Sequence, residues 1–287
     1  MKGVSSKQKA SSGSFSNNGG PVLQSPKVRA VYWGGLWGDS THISESTRLS
    51  LFLQDLLNSS LMNLLSQYGV GAGSYIGQVQ DSSVSGSFTD SEIQKQLQKY
   101  YDSGFLPEPD GSTLNVIFLD ENLAVNDPGA GLVLCEPSGD TAFGYHNFFI
   151  TSKGNPAYYA IIPALTDACL AASCGGNSGC TLSLGDTQEQ RRTEVTTHEF
   201  CEACSDPQLN AWTDSSGNEI GDVCTAKQDI TVNGRVWRVQ TIWDNAVGSC
   251  TVGDVSIPSP PVKGSQNANI VIANLFMLGL GKLLGKV

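Results

Sequence analysis

The sequence predicts an α/β (α+β) fold: a single domain whose mixed sheet packs against one long helix, tied by disulfides, with an apolar C-terminal tail. Three observations predict it. Runs rich in β-branched and aromatic residues recur at 28–33, 74–80, 114–119, 143–151 and 157–162. Between and after them, 46–68, 90–101 and 187–204 carry helical signals. The eight cysteines, an even number, suit up to four disulfides and an oxidising compartment.

The 287 residues divide by composition into a leader at 1–20, a domain at 21–255 and a linker with tail at 256–287. The leader is Lys, Ser, Gly and Asn, and it reads as disordered, without the apolar run of a signal peptide. The strand 28–33 (V-R-A-V-Y-W) opens the domain. In 46–68, Leu49, Phe52, Leu53, Leu56, Leu57, Leu61, Leu64 and Leu65 mark the core face of a helix, broken near 58–60. The glycine loop at 69–73 lacks a lysine and a following helix, so it is no phosphate loop. Thr89 or Asp90 caps the next helix. The run L-N-V-I-F-L at 114–119 reads as a strand buried on both faces. A short helix is expected at 165–172, and Pro207 helps to end the long helix 187–204. Asn233-Gly234 marks the tip of a hairpin over 230–239, and 241–244 with 249–252 adds a last strand or support loop. A proline-rich linker at 256–261 leads to the basic, glycine-punctuated segment 269–287. That segment is too broken for a membrane span. It suits an interfacial amphipathic helix or a cap on the domain's own core.

The formal net charge of −10, without a Lys/Arg cluster, argues against a nucleic-acid partner. With the cysteines, it points to a secreted protein.

The chemistry concentrates in T-T-H-E-F-C-E-A-C-S-D at 196–206. On a helix, His198 and Glu202 share one face, with Glu199 beside them. A metal site needs ligands that converge, and hydrolysis needs a carboxylate to take a proton from water. The H-E-x-x-H motif of metallopeptidases supplies both. Here Glu202 replaces its second histidine, which adds negative charge and suits calcium as well as zinc. The bare pattern also fits an exposed acidic helix. The chain has three histidines, however, so His198 in this motif is less easily incidental. Downstream, N-E-I-G-D offers Glu219 and Asp222 at the distance where thermolysin-like zincins take a third ligand, with a nearby aspartate that orients the histidine. Asp206 is a weaker ligand, because Ser-Asp-Pro commonly terminates a helix. His146, in F-G-Y-H-N-F-F, reads as structural, as a transition-state donor or as a ligand. Cys201 and Cys204 could each bond outward from the helix to a different loop, the alternatives for the cysteines being free buried thiols or a second metal site.

Six segments carry a family resemblance: G-G-P-V-L with V-Y-W-G-G-L-W within 19–37, S-Q-Y-G-V-G at 66–71, G-Y-H-N at 144–147, Y-Y-A-I-I-P at 158–163, T-H-E-F-C-E-A-C-S-D-P at 197–207 and W-T-D-S-S-G-N-E-I-G-D-V-C at 212–224. In these the chain resembles a secreted family related to the plant phosphate-induced, EXORDIUM-like proteins, and more closely its microbial branch with a zincin-like motif. The resemblance spans about 19–250 and implies an extracellular, zincin-like fold. Plant members lack the H-E-x-x-E residues that this chain retains.

The expected function is a secreted zinc-dependent hydrolase, a peptidase acting on a peptide or protein. His198 and Glu202 are ligands, completed by Glu219 or Asp222. Glu199 is the general base, and His146 stabilises the oxyanion. The rival expectation is an extracellular binding or signalling module with a structural zinc or calcium. A third has the C-terminal segment contact membranes as the effector.

Overall fold

The computed structural model describes residues 2–5, 13–135, 142–174 and 182–253. The linker and tail at 256–287, and Cys180, lie outside the described residues, and so does the membrane contact expected of that tail. The first compact unit runs from Met1 to Ile257, ending at the proline-rich stretch.

Six strands form the central sheet: β1 (Lys2–Ser5), β2 (Lys27–Trp33), β3 (Ser74–Asp81), β4 (Thr113–Leu119), β5 (Ala142–Ile150) and β6 (Pro156–Ile162). Their order is β1-β5-β6-β4-β2-β3. β3, β2, β4 and β6 are parallel. β5 runs antiparallel to β6, and β1 antiparallel to β5. The sheet is therefore mixed. All seven residues of β4 are buried, as expected of a parallel strand covered on both faces.

Among the described residues, five α-helices complete the layers: α1 (Ser40–Leu56), α2 (Ser60–Leu65), α3 (Asp90–Ser103), α4 (Asp167–Cys174) and α5 (Gln188–Ser205). The apolar run 46–68 does break, between α1 and α2. Val28, Ala30, Tyr32, Val116 and Phe118 of the sheet join one core with Leu49 and Phe52 of α1 and Val195 and Phe200 of α5. On the opposite face Val31, Trp33, Ile117 and Leu119 join Ile93, Leu97 and Tyr100 of α3. Alternation along the strands explains the division, since successive side chains leave opposite faces. A hairpin of β7 (Lys227–Val232) and β8 (Arg235–Gln240) turns at Asn233 and Gly234, both at positive φ, and brings Val239 into the first core.

α5 is polar in sequence yet buried continuously from Arg191 to Ser205. Such a helix is tolerated only if its polar groups find partners. Thr187 and Gln190 form a capping box at its start. Arg191 donates to the carbonyls of Ser183, Leu165 and Leu184 and pairs with Asp167. Arg192 donates to Pro163 and Leu119 carbonyls, pairs with Glu45 and sits 4.9 Å over the Trp37 ring. Thr193 donates to the Arg238 carbonyl, which ties α5 to β8.

Two expectations change. Part of the leader is ordered: Lys2–Ser5 forms β1, and Ser16–Asn17 pairs with Trp212–Thr213. Short polar strands of this kind are specified by a distant partner, not by their own composition. The motif-helix cysteines do not bond outward. Cys201 and Cys204 are free thiols, because a helix buried on all sides offers no surface loop to either. The bonded cysteines lie elsewhere: Cys135–Cys169, Cys224–Cys250 and Cys174. These bonds fit an oxidising, extracellular-type environment. Among the described residues, no helix is long and apolar enough to cross a membrane.

Candidate metal centre

β5 supplies one wall of the site. Its Tyr145 and Asn147 reach Asp90 at the start of α3, on one face of the sheet. The intervening Gly144 and His146 therefore face α5. Gly144 has no room for a side chain there. A Cβ would lie 2.7 Å from Val195 Cγ1 and 3.2 Å from Glu199 Oε1. Glycine thus lets α5 approach the strand and places Glu199 against it.

The N-E-I-G-D segment closes the opposite side. The Gly221 and Asp222 N–H groups both donate to Glu202 Oε1, each at 3.1 Å. Asp222 Oδ2 accepts from the Glu219 N–H at 3.1 Å, which pins the loop that carries both carboxylates. A Cβ on Gly221 would meet His198 Nδ1 at 2.8 Å and Glu202 Oε1 at 3.0 Å, so this position also requires glycine.

With Oε1 held, Glu202 turns Oε2 toward the imidazoles. It lies 3.1 Å from His198 Nε2 and 3.8 Å from His146 Nε2. His146 Nε2 is 3.1 Å from Glu219 Oε1. Two ligand sets result, each with donor atoms within 4.8 Å of one another: His198, Glu202 and Asp222, and His146, Glu202 and Glu219. All five residues are buried, and so is Glu199. The structure thus gathers every sequence-predicted site residue around α5. Asp206 stays outside both sets. Its Oδ1 accepts from the Asn210 and Ala211 N–H groups at 2.6 Å, which suits the turn that ends the helix.

Gln240 fixes the tautomer of His198. Its Nε2 donates to the Gly221 and Cys224 carbonyls at 2.8 and 2.6 Å, which occupies both amide hydrogens. Nε2 also lies 3.0 Å from His198 Nδ1, but no hydrogen is left for that contact. Nδ1–H must then donate to Gln240 Oε1, at 3.2 Å. Nε2 then faces Glu202 Oε2 at 3.1 Å with both atoms buried, a contact that either a proton on Nε2 or a bound cation would satisfy. Imidazole nitrogen with carboxylate oxygens fits zinc, and the oxygen excess also suits harder cations.

The electrostatics favour positive charge at the site. Burial disfavours protonation of His146, yet Glu219, Glu199 and Glu202 outweigh it and raise its pKa to about 9. Burial opposes protonation of His198 too, and Glu202, Glu199 and Asp222 raise it to about 10. Burial, with repulsion from Glu219 and Asp222, raises Glu202 despite His198. The cluster carries more negative charge than its surroundings neutralise.

His146, expected as structural, as an oxyanion donor or as a ligand, directs its Nε2 at Glu219 and Glu202. Sequence reasoning missed Gln240, Gly144 and Gly221. The glycines stand inside G-Y-H-N and N-E-I-G-D and were readable as close-approach positions. Gln240 carried no local signal.

No family model matches the chain, and no curated protein matches it.

Proposed function

We propose that the protein is a secreted metal-dependent hydrolase, zinc-loaded, that cleaves peptide bonds. The observation that carries this reading is the buried pair His198 Nε2 and Glu202 Oε2, 3.1 Å apart one helical turn from each other, with Glu199 next to His198 on the same helix. His198, Glu202 and Asp222 would hold zinc, with Gly221, Asp222 and Gln240 orienting two of the three. Bound zinc would supply Lewis acidity and make water a stronger acid. Glu199 would take a proton from the attacking water and return it to the leaving amine as the C–N bond breaks. Secretion fits the disulfides.

A second reading is an extracellular binding or signalling module with a structural zinc or calcium. The depth of the site favours it, because Glu199, Glu202 and Glu219 expose nothing to solvent. Glu199→Gln separates the two. The catalytic reading expects metal content and fold to persist while cleavage of a peptide library falls at least 100-fold. A wild-type protein that binds metal and cleaves nothing contradicts it and leaves the structural reading.

A further inference from the structure

We propose that the centre holds two divalent cations, with Glu202 shared between them. This rests on the metal-binding reading above and adds a second ion to it. One ion takes His198, Glu202 and Asp222. The other takes His146, Glu202 and Glu219. The two sets come from different walls, with one histidine from α5 and the other from β5, and Glu202 is their common member.

Three further observations support this. Glu202 Oε1 is committed to two backbone N–H groups, so Oε2 is the free end, and it faces both imidazoles without a hydrogen-bond partner. A carboxylate oxygen directed at two ligand sets at once suits a bridge. The second observation is charge. Glu199, Glu202, Glu219 and Asp222 are all buried, and the ion-pair partners of Glu202 are both histidines. Four carboxylates gathered with two imidazoles in one buried space favour the binding of more than one cation. The third is Asp206 at the end of α5, a further buried carboxylate whose Oδ2 has no hydrogen-bond partner. Carboxylate-rich sets with one imidazole each accept manganese as well as zinc.

The test uses the full chain, stripped of metal and titrated with Mn2+ alone. Calorimetry and elemental analysis would return two manganese per chain, with an exchange-coupled electron paramagnetic resonance signal. His146→Ala and His198→Ala would each retain one ion and lose the coupling. Wild-type stoichiometry and exchange coupling together decide the matter, so a variant that misfolds does not obscure the answer. A single, uncoupled manganese in wild type overturns the second ion and leaves the mononuclear reading standing. Two uncoupled equivalents that survive His146→Ala also overturn it, because the second ion then lies elsewhere. Failure to bind either Mn2+ or Zn2+ would instead remove the metal reading itself.

Discussion

Gln240 acts on the site only through His198 Nδ1, 3.2 Å away. Partners of this kind typically govern metal affinity by 10–100-fold. Gln240→Ala should therefore weaken zinc binding by about that factor, measured by competition with a chelator of known affinity, while the peptide-backbone circular dichroism is unchanged. Unaltered affinity would mean that the tautomer is set by something else. Glu194 sits one turn before His198 on α5 and is nearly fully buried. Burial raises its pKa to about 7 from an ordinary 4.5, against the pull of Lys227. The folded protein then holds this proton more tightly than the unfolded chain. Its contribution is fully present below about 4.5 and is lost as pH rises through about 7. Glu194→Gln should flatten the decline in thermal midpoint across that window. Parallel pH profiles for the two proteins would contradict the assignment.

At the scale of elements, Asp55 joins α1 to the β7–β8 hairpin. It accepts from Arg235 Nε and Nη2 at 2.7 Å each, Asn233 Nδ2 at 2.8 Å and Trp237 Nε1 at 2.7 Å. The carboxylate is buried, so Asp55→Ala leaves the buried Trp237 N–H and the arginine without an acceptor. Removing one partner from a buried pair costs roughly 3–5 kcal/mol. Urea denaturation should show that loss, and because β8 carries Gln240, zinc affinity should fall with it. The elements themselves were legible. Helical spacing announced α1 and α3, Thr187 announced the start of α5, and apolar runs announced β2, β4 and β6. The site was half legible. His198, Glu199 and Glu202 are spaced by helix geometry alone, and Glu219 and Asp222 followed from their distance to that motif. The contact of His146 with Glu219 depends on which face of β5 it occupies, and the role of Gln240 depends on the register of β8. Neither is encoded within a local window. β1 was hidden for a similar reason, since its only specification is the edge of β5, where Lys2 lies opposite His146.

Across the whole molecule, the arrangement concentrates negative charge where the chain is most buried. The sheet and α1 cover α5, the hairpin holds it from behind, and disulfides at Cys135–Cys169 and Cys224–Cys250 fasten the segments around it. On the proposed reading, a cation joining the buried carboxylates of the site stabilises a chain of −10 net charge. Ligands that bind only the folded state stabilise it by mass action, so a strong chelator should lower the thermal midpoint and added zinc should restore it. The most direct measurement is elemental metal analysis of the purified protein, wild type beside His198→Ala. At least one zinc or similar transition metal per wild-type chain, diminished in His198→Ala, is the predicted result. A folded wild-type protein that has met no chelator, takes up no zinc and carries no metal would contradict it.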